Sequence, residues 1–399
     1  MCKAPFCGGW NSTFRVEDKE KRVAGLSGIT NIWNNVKEVD LRPIRQEALQ
    51  VVKIAVVSAP GTGGQMLADQ MRRDPSRPGV ETQSPLPVFD LNSAHLAGSA
   101  DLIILLLASG QENYDRQKEL SRVWSSAGKN LLVILNQPKG VARHAAEPWP
   151  DWGQKRLLYG PVEELDFLVS EFIPVVVDIL SDQMLALGRQ YPLFRLEIAH
   201  RLINETSLSN AAYSISTGLA EVVPVFDIPL NVADMVVLTK AQAFLVYKLG
   251  LELGFSTQWQ DYVAEFGSVL GGGFLWRQLA RSLIGLIPAW GIVPKVAVAY
   301  AGTYVVGNVV LQWYLTGRHV TRQQMSDLYR QAFSRGKEVA RNLLAKFPQP
   351  RLKKREPKAL PAPKRRRRPV CPECGRTNAK DALFCQYCGH PLTSEETTT

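Results

Sequence analysis

The sequence lacks the residue patterns by which most hydrolases are recognised. Its five histidines form no H-E-x-x-H pair, and no G-x-S-x-G elbow is present. These absences exclude a zinc-protease helix and a serine-hydrolase elbow, and no other nucleophile stands out. The chain also has no basic segment followed by an apolar one at its start, so nothing in it predicts secretion. We therefore expect a cytoplasmic protein without an evident catalytic centre.

Cysteine is scarce, and surplus positive charge is scarce outside one segment. Four of the six cysteines form one cluster near the C-terminus, which favours reduced thiols and a metal over disulfides. The other two, Cys2 and Cys7, lie in a polar start that we expect to be a tail. The formal net charge is +10, but residues 351–368 hold ten Lys and Arg against Glu356, a net of +9, which leaves +1 elsewhere. The body of the chain is thus nearly neutral.

The length of 399 residues, with 45% hydrophobic residues, is sufficient for two or three globular domains. The order of segments predicts a multidomain protein of the α/β plus all-α class. The expected parts are a tail with lead-in helices at 1–50, an α/β domain at 51–181, a helical domain at 182–347, a basic Pro-rich linker at 348–369, a zinc ribbon at 370–393 and a disordered tail at 394–399.

Residues 51–67 are expected to form a buried strand, a glycine loop and the start of a helix. Such a loop holds phosphate when backbone N–H groups point at the anion, a Lys reaches the phosphates and a Ser or Thr binds Mg²⁺. With Ala59 aligned to the first glycine of G-x-x-x-x-G-K-[ST], Gly64 takes the second, but Gln65 replaces the Lys and Met66 the hydroxyl residue. The loop shape is retained while the cation and the metal ligand are missing.

The dinucleotide pattern G-x-G-x-x-G is met only in part. Gly61 and Gly63 match its first two glycines, but Met66 stands at the third, where a side chain opposes close helix packing. A tight strand-to-helix turn without a ligand explains the same residues. The candidate nucleotide-binding residues of the loop are Gly61, Gly63, Gly64 and Gln65.

Three apolar runs after or beside this loop predict a parallel sheet buried on both faces. They begin at Val88, Asp101 and Asn130, are rich in Ile, Leu and Val, and are separated by polar stretches with helical character. An ordinary doubly wound α/β domain is one interpretation of this pattern.

The order of the motifs resembles a small bacterial GTPase domain. Asp90 matches the Asp of the Asp-x-x-Gly switch, but Ser93 replaces its glycine. Asn136 matches the Asn of Asn-Lys-x-Asp, but Gln137 and Lys139 replace its Lys and Asp. In this family the lost residues supply phosphate charge, metal binding and guanine specificity. The resemblance thus implies a degenerate P-loop fold, a pseudo-GTPase or a very weak binder, in which GTP and Mg²⁺ lack their usual ligands.

The helical region contains one long uncharged segment at residues 296–315. Its 20 residues could cross a bilayer at about 1.5 Å each, and Trp313 and Tyr314 suit an interfacial anchor. We expect a re-entrant or paired-helix insertion over 282–315, while a helix buried in a soluble domain explains the same residues. A small-residue face that lets another helix approach closely is formed by Ala299, Thr303 and Gly307.

Residues 182–318 resemble a bacterial helical domain of uncharacterised function that often follows GTPase-like domains and is frequently membrane-associated. The likeness lies in the segments RQYPLFRLEIAHRLINETSLSNAAYS, LTKAQAFLVYKLG and LIPAWGIVPKVAVAYAGTYVVGN. Gly250 and Gly254 are expected helix stops. A last amphipathic helix is predicted over 320–347 from the capping box of Thr321 and Gln324. Its apolar stripe, expected to pack in the core, is Met325, Leu328, Ala332, Val339 and Leu343.

The C-terminal motif is the most specific in the chain. Two C-x-x-C-G knuckles separated by ten residues predict a closed tetrahedral Zn²⁺ site of four thiolates, which serves structure. Its ligands are Cys371, Cys374, Cys385 and Cys388. His390 is expected at the surface. The motif resembles zinc ribbons that act as docking elements.

Together these features predict a non-catalytic pseudo-GTPase adaptor or scaffold at the inner face of the cell membrane. Its basic linker and zinc ribbon would contact a protein partner or an anionic surface. Two alternatives remain at this level, namely a divergent GTP-binding protein and a nucleic-acid-binding protein that uses linker and ribbon. The linker residues that would contact nucleic-acid phosphates are Arg365, Arg366, Arg367 and Arg368.

Overall fold

A computed structural model describes residues 40–110, 113–137, 157–220, 230–262, 292–318, 320–346, 370–379 and 382–392. The chain forms two compact units, Met1–Phe347 and Pro348–Thr399. The predictions for the N-terminal tail, for the linker at 348–369, for the tail at 394–399 and for Lys139 lie outside the described residues.

A five-stranded parallel sheet forms the α/β region. The strands are β1 (Ile54–Ser58), β2 (Val88–Phe89), β3 (Leu102–Ala108), β4 (Leu131–Asn136) and β5 (Leu157–Tyr159), in the order β2-β1-β3-β4-β5. Every pair of neighbours runs parallel. The parallel sheet expected from the apolar runs is confirmed, and β5 is a strand that the sequence pattern did not reveal.

Both faces of the sheet are buried because its central strands consist almost wholly of aliphatic residues. On one face Ile54, Val56 and Ile104 join a core that continues into the helical region through Phe172 and Ile198. The alternate residues face a second, smaller core closed by the helix Asp115–Ser126 and the 3₁₀ turn Ala94–Ser99. The members of this second core that lie on the strands are Ala55, Val57, Ile103, Leu105, Leu107, Leu131, Val133 and Leu135. Helices thus cover both sides of the sheet.

The described helices follow the chain in regular order. They are α1 (Arg42–Leu49), α2 (Gly64–Arg72), α3 (Asp115–Ser126), α4 (Leu165–Phe167), α5 (Ile173–Ile179), α6 (Met184–Gln190), α7 (Arg195–Ala220), α8 (Leu230–Glu252), α9 (Ile292–Thr316) and α10 (Arg322–Lys346). A π turn, Leu168–Phe172, joins α4 to α5, and short 3₁₀ turns occupy Ala94–Ser99, Ser181–Gln183 and Pro192–Phe194. Pro43 lies in the first turn of α1.

Helix α9 lies at the centre of the helical region. The segment Val293–Thr316 is long and apolar enough to cross a bilayer, and 61% of its most apolar window is buried inside the protein. Its side chains pack on α7 and α10 around Tyr300, and its C-terminal half joins the core beneath the sheet. Packing therefore accounts for its apolar composition. Membrane insertion stays a prediction, and the first half of the expected hairpin, at 282–291, lies outside the described residues.

The small-residue face of α9 contacts other helices of the same region. A Cβ atom on Gly307 would lie 2.7 Å from Ile203 of α7 and 3.1 Å from Leu245 of α8. The Thr303 hydroxyl accepts a hydrogen bond from the amide of Asn210 at 2.8 Å. The predicted close approach of another helix is confirmed, and the partners are α7 and α8.

Helix α10 begins at the predicted capping box. The N–H of Thr321 donates to Gln324 Oε1 at 3.0 Å, and the N–H of Gln324 donates to Thr321 Oγ1 at 3.3 Å. The predicted apolar stripe packs against α9. One helix stop was wrong, because Gly250 lies inside α8, where Tyr262 covers it. Gly254 follows the helix with φ +87°, a backbone conformation that favours glycine.

Candidate functional site

The glycine loop runs from the end of β1 to the start of α2. Gly61 and Gly63 have φ of +79° and +94°, which glycine adopts without steric cost. A Cβ on Gly64 would collide with the side chain of Ser58, the last residue of β1. The loop is therefore a tight strand-to-helix turn in which these glycines are required by backbone geometry and by close packing, whatever ligand it holds.

Asn136, at the end of β4, is hydrogen-bonded to the backbone of the glycine loop. Its Nδ2 donates to the carbonyl of Thr62 at 3.0 Å, and its Oδ1 accepts from the N–H of Val162 at 3.1 Å. A Cβ on Gly63 would lie 3.1 Å from that Nδ2. The structure thus brings together two sequence-predicted parts, the loop and Asn136. Both the nitrogen and the oxygen of the Asn136 amide are hydrogen-bonded to the backbone. Thr62 and Val162 had no signal in the sequence.

Two polar side chains of the loop have hydrogen-bond partners close by in the chain. Gln65 Nε2 donates to Asp69 Oδ1 at 2.9 Å, one turn along α2. The Thr62 hydroxyl donates to the carbonyl of Ala59 at 2.6 Å, within the loop. Met66 is about half exposed. Residues 59–66 include no Lys or Arg, so the loop has no cation of its own to balance a phosphate.

Asp90 follows β2 and therefore lies at the same carboxyl edge of the sheet as the glycine loop. Its Oδ1 accepts hydrogen bonds from the N–H groups of Asn92 at 2.8 Å and Ser93 at 2.7 Å, and from the Ser93 hydroxyl at 2.9 Å. The backbone N–H and hydroxyl of Ser93 lower the pKa of Asp90. All of these partners belong to its own turn, so Asp90 acts here as a turn residue.

A buried ionic cluster joins the segment after α2 to the helical region, and sequence spacing did not reveal it. Asp74 Oδ2 accepts from Arg77 Nε at 3.0 Å and from Arg195 at 3.2 Å. Arg77 also donates to the carbonyl of Leu253 at 3.1 Å. Burial raises the pKa of Asp74, but the hydrogen bonds from Ser76, Arg77 and Arg195 outweigh this effect. The pKa therefore lies below its ordinary value.

Glu252, the last residue of α8, completes this cluster. Its side chain is fully buried, and neither carboxylate oxygen has a hydrogen-bond partner among the described residues. A Cβ on Gly188 would lie 2.6 Å from one of those oxygens, so glycine is needed there. Burial raises the pKa of Glu252 well above its ordinary value, although Arg195 and Arg77 oppose the shift. These contacts make the cluster a structural junction between sheet and helices.

The four predicted zinc ligands come together in the C-terminal unit. All four sulfur atoms lie within 4.8 Å of one another, with 3.6 Å between those of Cys371 and Cys388 and 3.5 Å between those of Cys374 and Cys385. A tetrahedral site with Zn–S bonds of about 2.3 Å requires sulfur separations of about 3.8 Å. The donor set fits zinc, and the ribbon binds it through these four cysteines.

The two knuckles have equivalent backbone geometry. Gly375 and Gly389 have φ of +67° and +75°, and their N–H groups each donate to the carbonyl of the first cysteine of the knuckle at 2.9 Å. Burial raises the pKa of Cys385, but the N–H groups of the second knuckle and the neighbouring sulfurs lower it more, to about 6. The fold thereby favours the thiolate of Cys385. The backbone N–H of His390 lowers the pKa of Cys388, but burial and the neighbouring sulfurs raise it more, to about 12.

Comparison with known proteins supports the ribbon alone. A zinc-ribbon domain family matches residues 370–392. No GTPase family matches the chain. No curated protein matches it either.

Proposed function

We propose that this chain is a non-catalytic pseudo-GTPase adaptor or scaffold, in which a degenerate P-loop α/β domain and a helical domain carry a zinc ribbon on a basic linker. One observation carries the proposal. The polar side chains at the glycine loop that could contact a nucleotide, those of Asn136, Thr62 and Gln65, are hydrogen-bonded within the protein.

The energetics favour this interpretation. A nucleotide that recruited the Asn136 amide would leave the carbonyl of Thr62 and the N–H of Val162 without their partner. Leaving a buried polar group unpaired costs about 1–3 kcal/mol. The loop offers no Lys to compensate for that loss. Nucleotide binding through the Asn136 amide would thus break hydrogen bonds that stabilise this edge of the sheet.

Residues 73–87, which follow α2, are also hydrogen-bonded to the helical region. The Thr82 hydroxyl donates to the carbonyl of Gln190 at 2.7 Å, and the Tyr191 hydroxyl donates to the carbonyl of Pro85 at 2.8 Å. With the buried Asp74–Arg195 ion pair, these contacts resist movement of residues 73–87. A fixed segment suits a scaffold better than a switch that closes over a nucleotide.

The alternative of a divergent GTP-binding protein has one supporting feature. No side chain caps the first turn of α2, so the N–H groups of residues 64–66 could bind a phosphate.

We place the protein in the cytoplasm at the inner face of the membrane, on the basis of the basic linker and the apolar α9. Nucleic-acid binding by Arg365–Arg368 is the competing assignment for the linker.

The decisive experiment is isothermal titration of the zinc-loaded protein with GTP, GDP and ATP in the presence of Mg²⁺. A scaffold should give no heat with any of the three nucleotides. Micromolar binding with a preference for guanine would refute the proposal. In that case Asn136→Ala should abolish the heat while Asp115→Ala, at the exposed start of α3, should leave it unchanged.

A further inference from the structure

Glu252 is a buried carboxyl group to which no described residue donates a hydrogen bond. It is the last residue of α8, its side chain has no exposure to solvent, and both of its oxygens lack a partner among the residues that the structure describes. An ionised carboxylate that leaves water without such donors loses its solvation and is strongly disfavoured. The form that this site accepts is therefore the neutral, protonated one.

Two guanidinium groups attract Glu252 through their charge, but both are hydrogen-bonded to another carboxylate. Arg195, at the start of α7, donates through Nε to the carbonyl of Gly188 at 2.9 Å and through Nη1 to Asp74 at 3.2 Å. Arg77 donates through Nε to the same oxygen of Asp74 at 3.0 Å. Asp74 thus receives the hydrogen bonds that Glu252 lacks.

A third arginine, Arg189 of α6, is bonded to the backbone on either side of Glu252. Its Nη1 donates to the carbonyls of Leu251 and Phe255 at 2.9 Å each, which fixes the end of α8. The charged groups around the Glu252 carboxyl group are therefore Asp74, Arg77, Arg189 and Arg195.

Arg195 lies beside both carboxyl groups and has one weakly held nitrogen. A Cβ on Gly188, whose carbonyl accepts from Arg195, would lie 2.6 Å from Oε2 of Glu252. The Nη2 of Arg195 makes a long bond of 3.4 Å to a carbonyl of α6. That same nitrogen would lie 3.0 Å from a Cβ on Gly254, two residues after Glu252. A small reorientation of the guanidinium would therefore bring it to Glu252.

Asp74 keeps other donors if Arg195 leaves it. Its Oδ1 accepts from both the N–H and the hydroxyl of Ser76, and its Oδ2 accepts from Arg77. An ionised Glu252 would have no donor at all until Arg195 or Arg77 turned to it. Since a charge-assisted hydrogen bond is worth most to a buried ion that has none, Arg195 stabilises whichever carboxylate needs it more.

We propose that Glu252 is a proton-controlled latch for residues 73–87. While Glu252 is protonated, Arg195 stays with Asp74 and connects this segment to α7. When the proton passes to solvent, Arg195 turns from Asp74 to the new carboxylate, and the segment loses its buried ionic contact with the helical region. It then opens more often.

This inference goes beyond the proposed function and does not depend on it. Residues 73–87 connect α2, which begins at the glycine loop, to β2, which Asp90 follows. Opening of the segment would thus change the carboxyl edge of the sheet in response to pH. Whether the loop binds a nucleotide is a separate question, which the isothermal titration answers.

Proton linkage fixes the direction of the effect. Burial raises the pKa of Glu252 in the closed form, whereas contact with water in the open form restores the ordinary value of 4.5. Between these two pKa values the closed form binds one more proton than the open form. The equilibrium constant for opening should therefore rise by up to about tenfold for each pH unit in that window.

Amide hydrogen exchange of the zinc-loaded full chain tests the latch, over a range from about pH 5 to about pH 9. It is read at the N–H groups of Asp74, Val80 and Thr82, which are hydrogen-bonded within residues 72–82. Glu252→Gln keeps the shape of the side chain but cannot ionise. Because native and variant chains share the same intrinsic exchange at these amides, the ratio of their rates should rise with pH by up to about tenfold per unit.

Glu119→Gln is the matched control, since its carboxyl group is exposed on α3, and its exchange should follow that of the native chain. The amides of β3 should show no such rise, which separates local opening from a loss of global stability. A ratio that does not change with pH, or one that changes equally in β3, would overturn the inference.

Carbon-13 NMR of the native protein keeps the latch testable if Glu252→Gln does not fold. The carboxyl resonance of Glu252 should titrate above its ordinary value, and the loss of protection at Thr82, corrected for intrinsic exchange, should follow the same pH range. A Glu252 resonance that titrates at the ordinary value would overturn the inference.

Discussion

At the scale of single residues, Asn136 has a structural role that its hydrogen bonds define. Its amide bridges the Thr62 carbonyl and the Val162 N–H, so it ties the glycine loop to the segment after β5. The resemblance to GTPase motifs assigned Asn136 and the loop to one candidate nucleotide site. It could not predict this bridge, because Thr62 and Val162 are distant from Asn136 along the chain and carry no motif.

Asn136→Ala should destabilise the protein because it leaves a carbonyl and an N–H without partners. We expect a loss of about 1–3 kcal/mol in the free energy of unfolding, measured by urea denaturation. Gln65→Ala removes only an exposed bond to Asp69 and should change the free energy by less than about 0.5 kcal/mol. Equal losses in the two variants would contradict the structural role of Asn136.

The buried carboxylates of Asp74 and Glu252 should respond to substitution in opposite ways. Asp74→Asn leaves Arg195, itself buried, without its ionic partner and should cost about 3–5 kcal/mol at pH 7. Glu252→Gln removes a charge that burial disfavours and that accepts no hydrogen bond from the residues that the structure describes, so stability should be equal or greater. Thermal unfolding of both variants at pH 7 measures the difference.

The pH dependence follows from the directions of the two pKa shifts. Because the folded-state pKa of Glu252 is raised, the folded state binds more protons, and stability should fall as pH rises above the ordinary value of 4.5. The folded-state pKa of Asp74 is lowered below 3.8, so its contribution is present at higher pH and is lost in acid. Glu252→Gln should remove the first decline and leave the second. A decline above pH 4.5 that persists in Glu252→Gln would assign it to another group.

At the scale of elements, α9 decides how the helical region packs. Its composition alone fits a membrane span or a core helix equally well. In the structure its small residues allow α7 and α8 to pack closely against it. Gly336 of α10 lies against the backbone of Ala297 of α9. The capping box and stripe of α10 were predictable because they are local patterns. The neighbours of α9 were not, because they depend on contacts between distant segments.

Gly336→Ala tests the contact between α10 and α9. The new Cβ would lie 2.8 Å from the carbonyl oxygen of Ala297, and backbone cannot move aside cheaply, so we expect a loss of about 1–3 kcal/mol. Gly302→Ala is the control on α9, since nothing lies within 4 Å of its added Cβ. It should stabilise the helix by about 0.5–1 kcal/mol. Urea denaturation that gave both variants the same sign would contradict this packing.

At the scale of the whole molecule, the chain consists of two units with different sources of stability. Met1–Phe347 has a continuous apolar core that spans sheet and helices. The ribbon at 370–392 depends on its four thiolates and zinc. Since the free energy of binding a structural zinc is largely folding free energy, the two units should respond separately to loss of the metal.

Removal of zinc with a chelator should unfold the ribbon and leave the larger unit folded. In two-dimensional amide NMR, the resonances of residues 370–392 should collapse toward random-coil positions, while the thermal midpoint of the larger unit stays unchanged. Cys385→Ser should reproduce the effect. Cys7→Ser, at a cysteine outside the cluster, should retain full zinc content. A lowered midpoint for the larger unit would mean that the ribbon contributes to its stability.

The sequence by itself determined the zinc site, the parallel sheet and the tight glycine turn, because each arises from local spacing, apolar runs or backbone conformations available to glycine. Only the tertiary structure decided that Asn136 links the glycine loop to the segment after β5. It also decided that Asp74 and Glu252 lie near two arginines in a buried junction, and that α9 lies among α7, α8 and α10. These features depend on residues far apart in the chain, which meet only when burial of the apolar faces brings sheet and helices together.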